Sequence, residues 1–418
     1  MKVPQIELIP LRAAVSSDHP STLDVLVRIV PPTAPDDLDR PALNLSFVID
    51  RSGSMSGQRK IEFARQAVCY AVQQLLASDR VSVTIFDDQV QTLIRSTLAV
   101  DKADITRQIE QIQPRGSTAL HAGWLEGGIQ VSQHLNSEQL NRVILLSDGL
   151  ANVGETNPDA IASDVHGLAK RGVSSTTMGV GNDYNEDLLE AMARSGDGNY
   201  YYIESPQQLP DIFQTELQGL MATVGHTVSL GIEPQADVKV VDVFNDLDRN
   251  RQGRYQLPNL VVGNPIEVVV RLKVPAMTVQ AADLCYFRLA WDDPQQQQRQ
   301  KVRAALHLPV VSSAQLEDFP FNPEVQQQVA RLMAARAKQE VVRNLDRGDY
   351  AAARLSLEAA RAQVSAAPVS ARMSMELEAM AALDADLASF DLARARKKAT
   401  YQSYQARRGI DTSGNFQS

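Results

Sequence analysis

From Pro41 to Leu220 the chain alternates between two hydrophobic periods. Short apolar runs rich in β-branched residues occupy 43–50, 81–86, 90–98, 142–147, 173–180 and 200–203. Runs of this length bounded by polar clusters read as buried strands. Between them apolar residues recur every three or four positions, as Ile61, Ala64, Val68 and Leu75 do. That spacing predicts helices over about 60–76, 103–112, 120–135, 158–170, 185–194 and 206–220. Strands alternating with helices define a mostly parallel sheet covered on both faces. Asp87-Asp88-Gln89 sits between consecutive strands, where aspartate favours a hairpin turn through local hydrogen bonds. Gly127-Gly128 falls inside a predicted helix at roughly 1 kcal/mol per glycine, tolerable where backbone packs closely on the sheet.

After Leu220 the period changes. Segments at about 227–232, 238–244, 266–274, 284–291 and 302–308 are strand-like and separated by Gly, Asn and Pro. Two more candidates, 5–11 and 23–30, precede a Pro-rich linker at Pro31–Asp37, and two strands alone are not a stable domain. Together they make about seven strands, the usual count for a small sandwich. The expected sandwich therefore comprises 1–40 and 221–315, interrupted in sequence by 41–220, with Gln295–Gln298 as a polar hairpin tip. Asn322-Pro323-Glu324 is a helix start, with a capping Asn and proline in the first turn. A helix to Gly348, a second from Asp349 to Pro368, and a third, straight or bent, over about 370–408 make a helical hairpin or bundle at 316–410. Residues 411–418 are expected to be a disordered tail. Met373, Met375 and Met380 suit a helical core better than a pliant partner surface.

Composition narrows the function. Net charge is −9, which argues against general nucleic-acid binding. The two cysteines, Cys69 and Cys285, are far apart and fit a reducing compartment. The N-terminus lacks a signal-peptide core and no apolar run reaches membrane-span length, so a cytoplasmic location is expected. The six histidines have no zinc-type spacing, and His121 reads as a helix-surface residue.

The candidate chemistry begins where the first buried strand ends, at Asp50-Arg51-Ser52-Gly53-Ser54. Ligands of open α/β sheets sit beyond the carboxyl ends of the strands. Asp50, Ser52 and Ser54 offer one charged and two neutral oxygens there, a donor set for a hard cation such as Mg²⁺. Serine and aspartate after strands also cap helices, the competing explanation for any one such motif.

Asp-x-Ser-Gly-Ser after a strand resembles the metal-ion-dependent adhesion site of the von Willebrand factor A (VWA) family. Gly116-Ser117-Thr118-Ala119-Leu120 is similar to that family's threonine loop, and Ser147-Asp148-Gly149 after a second apolar run to its last site loop. The resemblance covers about 41–220 and implies a Rossmann-like doubly wound α/β domain. It implies that Ser52, Ser54 and Thr118 bind the metal directly, and that Asp50 and Asp148 hold it mostly through water. Mg²⁺ is the expected ion, with Mn²⁺ or Ca²⁺ as substitutes. The layout, a VWA domain within a β-sandwich, is similar to inter-alpha-trypsin inhibitor heavy chains.

An ion ringed by neutral oxygens stays electrophilic and keeps an open position, which an Asp or Glu of a partner protein would fill. The expectation is a non-enzymatic, Mg²⁺-dependent protein-binding module, with Arg51 and Arg115 favouring an acidic partner. A scaffold or adaptor, for example for an AAA+ ATPase, with a purely structural metal is the alternative. A Mg²⁺-assisted phosphohydrolase would need a general base, and the sequence offers none beside the site. The adhesion reading requires the three segments to converge with no lysine ammonium between them.

Overall fold

The computed structural model describes residues 3–32, 40–235, 237–278, 281–293 and 298–409. Most of the expected linker, the tip at 295–297 and the tail at 411–418 lie outside the described residues. Two compact units divide the chain. One comprises Met1–Asp36, Thr223–Asp293 and Gln298–Ser418; the other is built on Asp37–Ala222.

The first unit opens with β1 (Gln5–Pro10), β2 (Val15–Ser16) and β3 (Ser21–Val30). The second unit then begins. Its strands are β4 (Leu43–Asp50), β5 (Arg80–Phe86), β6 (Val90–Leu98), β7 (Leu140–Ser147), β8 (Val173–Val180) and β9 (Asp197–Ile203). Its helices are α1 (Lys60–Gln74), α2 (Lys102–Glu110), α3 (Leu120–Ser132), α4 (Pro158–Ala169), α5 (Glu186–Ser195) and α6 (Leu209–Met221). The sheet order is β6-β5-β4-β7-β8-β9, and only β6 is antiparallel to its neighbour. The chain works outward from β4 to one edge and returns to β7, so the switch point lies between these two strands. Every residue of β4 and β7 is buried, because helices cover both faces.

Gly127 of α3 explains itself here. A Cβ at that position would lie 2.3 Å from Val48 Cγ2 on β4, and one at Gly128 would lie 2.7 Å from Leu168 Cδ2 on α4. The two glycines let α3 approach the sheet and its neighbouring helix closely.

The first unit resumes with β10 (Thr223–Pro234), β11 (Lys239–Val243), β12 (Tyr255–Gln256), β13 (Leu260–Val261), β14 (Ile266–Val274), β15 (Ala281–Asp293) and β16 (Gln298–Val311). One sheet runs β1-β3-β14-β11 and the other β12-β10-β15-β16-β2, with β13 beside β10. Strands from before and after the second unit therefore share both sheets. Val25, Val27 and Ile29 of β3 point into the core that Leu230, Phe287 and Leu289 fill. Leu26 and Val269 point the other way, against Val325 and Leu332 of α7 (Pro323–Asp346). Burial on both faces is why β3 and β14 read as continuous apolar runs rather than alternating ones.

After α7 come α8 (Tyr350–Ala366), α9 (Ala371–Ala388) and α10 (Leu392–Arg407). The single helix expected over 370–408 is thus two. Phe390 adopts a left-handed conformation (φ 59°), and Asp391 accepts from the Arg394 amide to cap α10. Met373 and Met380 are buried among these helices, while Met375 is 39% exposed. Among the described residues no helix is long and apolar enough to cross a membrane.

Candidate metal centre

The segments singled out in the sequence come together at the carboxyl ends of β4 and β7. Asp50 ends β4 fully buried. Its Oδ1 accepts from the Ser52 amide (2.7 Å) and its Oδ2 from Ser147 Oγ (2.6 Å). Burial pushes its pKa up to about 6, even though the Ser147 and Ser52 bonds pull the other way. Ser52 and Ser54 hydroxyls lie 3.0 Å apart. Ser54 Oγ donates to Asp148 Oδ1 at 2.7 Å, joining the first loop to the one after β7.

Thr118 arrives from the loop before α3 and is 3% exposed. A Cβ built on Gly149 would sit 3.1 Å from Thr118 Oγ1 and 3.7 Å from Asp50 Oδ2. Three loops thus place Asp50, Ser52, Ser54, Thr118 and Asp148 in one cluster. Its donors are two carboxylates and three hydroxyls, with no imidazole or thiolate. This set suits a hard divalent cation. Among the described residues no group of three or more His, Cys, Asp or Glu is placed to hold a metal ion.

Several supports were not legible in the sequence. Asn152 accepts from the Thr118 amide (2.9 Å), and the amides of Asn152 and Val153 donate to the Thr118 carbonyl (3.1 and 3.3 Å). Gly53 donates to the Gly116 carbonyl and Arg115 to that of Arg51, stitching the first two loops together. Asp87 does sit in a hairpin turn, but its buried carboxylate also faces Arg115 Nε (2.7 Å) and Arg51 Nε (2.8 Å). Burial raises its pKa, and the bonds from Arg115 and Gln89 with the charge of Arg51 outweigh that, leaving it lowered. The Arg51 contact is an ion pair by distance whose N–H is not aimed at the oxygen, and buried Nη2 has no hydrogen-bond acceptor among the described residues. The two guanidiniums expected to face a partner are therefore shared with one internal carboxylate. His121 Nε2 lies 3.0 Å from Asp164 on α4, and its ring stacks on Trp124. It belongs to the helix layer.

The feature least expected is Lys60, the first residue of α1. Gln58 and Arg59 both take left-handed φ values (50° and 59°), a conformation costly for side-chain-bearing residues. Beyond that turn the Lys60 side chain is buried, and its Nζ donates to Asp148 Oδ2 at 2.6 Å. The ammonium takes the carboxylate oxygen that Ser54 does not. It also lies against Gly181, at the end of β8, on the side of β7 away from β4. No hydrogen bond joins it to Ser52, Ser54 or Thr118 among the described residues. A lysine does reach this site, flanking Asp148 rather than separating the hydroxyls.

A doubly wound sheet with a hydroxyl-and-carboxylate cluster at its switch point defines a Rossmann-like α/β domain. Residues 44–215 match the family model of the von Willebrand factor type A domain, so this segment is a VWA domain. VWA domains are often metal-dependent protein-interaction modules. The protein is 28% identical to the uncharacterized protein sll0103 of Synechocystis over 80% of this chain and 81% of that one. It is 31% identical to the uncharacterized protein YfbK of Escherichia coli over 46% of this chain, and spans about a third (34%) of YfbK's length. It is 28% identical to inter-alpha-trypsin inhibitor heavy chain H3 of Rattus norvegicus over 57% of this chain and 26% of that protein. The von Willebrand factor type A protein from Catenulispora acidiphila has the same fold, with a TM-score of 0.70 over 91% of this chain and 89% of that chain at 16% identity. The ArnB paralog VWA2 from Sulfolobus acidocaldarius matches with 0.63 over 97% of this chain and 98% of its own at 18% identity.

Proposed function

We propose that Asp50, Ser52, Ser54, Thr118 and Asp148 hold Mg²⁺, for which Mn²⁺ or Ca²⁺ can substitute, and that the ion coordinates an Asp or Glu of a partner protein. The observation that carries this reading is the hydrogen-bonded chain from Ser52 through Ser54 to Asp148, with Thr118 Oγ1 beside Gly149. It gathers oxygens from three loops where an ion would bind them together. When bound, the ion supplies Lewis acidity toward a carboxylate. Ser52 and Ser54 serve as ligands, and Asp50 and Asp148 supply charge, so these side chains are spent on holding the ion and the module is read as non-enzymatic. Two free cysteines, one buried and one half-buried, support a reducing, cytoplasmic setting.

The test is capture of a partner from lysate by the immobilised full chain. Capture should depend on Mg²⁺, disappear in EDTA or in Asp148→Ala, and return to the wild type alone when Mg²⁺ is restored. Undiminished capture in EDTA would reject the reading. Lys60 favours one second reading, in which its ammonium satisfies Asp148 permanently and the chain is a scaffold whose assembly needs no ion. There, Ser52→Ala/Ser54→Ala would capture the same partners as the wild type.

A further inference from the structure

Lys60 stands where a cation is poorly placed. It is the first residue of a helix, whose amino end already carries partial positive charge. It is 5% exposed, so its ammonium is largely removed from water. Its buried partner is Asp148 at 2.6 Å; Asp183, at 4.0 Å, is mostly in solvent. The two consecutive left-handed residues before it hold it there despite these penalties. A packing role would be met by methionine, which has nearly the same shape and no charge.

Asp148 already carries the Lys60 ammonium on one of its two carboxylate oxygens. A divalent ion held through Asp148 therefore adds an excess of positive charge beside a fixed ammonium. Coulomb repulsion over such distances is substantial at the dielectric of a half-buried site. An incoming carboxylate removes part of that excess, so ion and carboxylate should be taken up together.

We infer that Lys60 is a resident counter-cation that makes ion capture conditional on an acidic ligand: the ion alone binds weakly, and the ion with a carboxylate binds tightly. The inference rests on the metal reading above. By linkage, the carboxylate's gain in affinity from the ion equals the ion's gain from the carboxylate. The site would then stay largely empty until a partner presents its acidic side chain.

The experiment is calorimetric titration of Mn²⁺ into the EDTA-stripped full chain, with and without saturating glutarate as the carboxylate probe. Wild type, Lys60→Met and Lys60→Arg are compared, and thermal unfolding in EDTA shows that each is folded. In the wild type, glutarate should tighten Mn²⁺ binding about tenfold or more. Lys60→Met should bind Mn²⁺ about tenfold tighter than wild type without glutarate and gain little from it. Lys60→Arg, which keeps the charge, should behave as wild type. Equal or weaker Mn²⁺ binding by Lys60→Met overturns the role of Lys60 and leaves the metal reading intact. Absence of Mn²⁺ binding in every variant, with or without glutarate, overturns the metal reading itself. Should Lys60→Met not fold, wild type decides alone: tight Mn²⁺ binding indifferent to glutarate overturns the inference.

Discussion

Gly149 shows how little room the site leaves. It follows Asp148, and a methyl there would press on Thr118 Oγ1 at 3.1 Å, tighter than ordinary contact. Thr118 cannot retreat freely, because Asn152 and Val153 hold its backbone on one side. Gly149→Ala should therefore turn the threonine hydroxyl out of position and weaken Mn²⁺ binding about tenfold, the usual effect of disturbing a ligand's support. Its thermal unfolding in EDTA should stay close to wild type, because no hydrophobic side chain is displaced. Unaltered Mn²⁺ affinity in a titration would show that Thr118 is not a ligand. The five oxygen-bearing residues were legible because each stands in a local pattern, carboxylate or hydroxyl just after an apolar run or in a glycine loop. Lys60, Asn152 and the shared role of Asp87 were not. Lys60 and Asp148 are 88 positions apart, and no periodicity links a helix's first residue to a carboxylate in the loop after a distant strand.

At the scale of elements, α6 is fastened to the sheet by polar contacts within an apolar layer. Glu216 of α6 is fully buried and accepts from Arg142 Nη1 on β7 (2.6 Å), Thr176 Oγ1 on β8 (2.6 Å) and Asn199 Nδ2 on β9 (2.7 Å). Burial alone would raise its pKa, but the Arg142 charge and these bonds outweigh that and lower it below the usual glutamate value of 4.5. A lowered folded-state pKa gives stability that is fully present above the unfolded pKa and is lost as pH falls through the folded one. Arg142→Met strands the carboxylate and should destabilise the domain by about 3–5 kcal/mol at pH 7. With Arg142 gone, burial raises the Glu216 carboxyl, so as the pH falls from 7 to about 5 it takes up a proton and the deficit should shrink. Urea unfolding at both pH values measures it, and a deficit independent of pH would place the damage in packing instead. In α3, Gly127→Ala gains up to about 1 kcal/mol of helix propensity. It must also push against Val48, which costs about 1–3 kcal/mol, so net destabilisation of up to about 2 kcal/mol is expected. Both glycines interrupt the helical pattern, yet the strand–helix alternation was strong enough to read the fold through them. Where tertiary geometry decides, the reading stopped: the α9–α10 break at Phe390 carries neither Gly nor Pro, and β2, β12 and β13 are too short to show a period.

Across the whole molecule, the sandwich and the carboxyl-terminal helices behave as one unit, and the reason lies where α10 ends. Gly409 has φ +70°, and a Cβ there would fall 2.2 Å from the Glu267 carbonyl oxygen of β14. The Glu267 amide donates to the Gly409 carbonyl (2.9 Å), and Asn245 Nδ2 spans the carbonyls of Glu267 and Arg407. On the side-chain level, Glu267 accepts from Arg28 of β3 and Arg372 of α9, while Arg336 of α7 pairs with Asp242 and Asp246 beside β11. Helix and sheet therefore share hydrogen bonds that neither can satisfy alone. Gly409→Val meets both a left-handed backbone and a carbonyl in its way, so it should destabilise this unit by about 2 kcal/mol or more. The VWA unit has a separate hydrophobic core, formed by residues such as Phe47, Ile144 and Phe213. Calorimetry should accordingly resolve a transition that Gly409→Val lowers and another that it leaves in place, and Mn²⁺ with glutarate should raise only the second. If Gly409→Val lowers both transitions equally, the two cores unfold as one cooperative body, and ion binding at the β4–β7 edge would be felt as far as the helices.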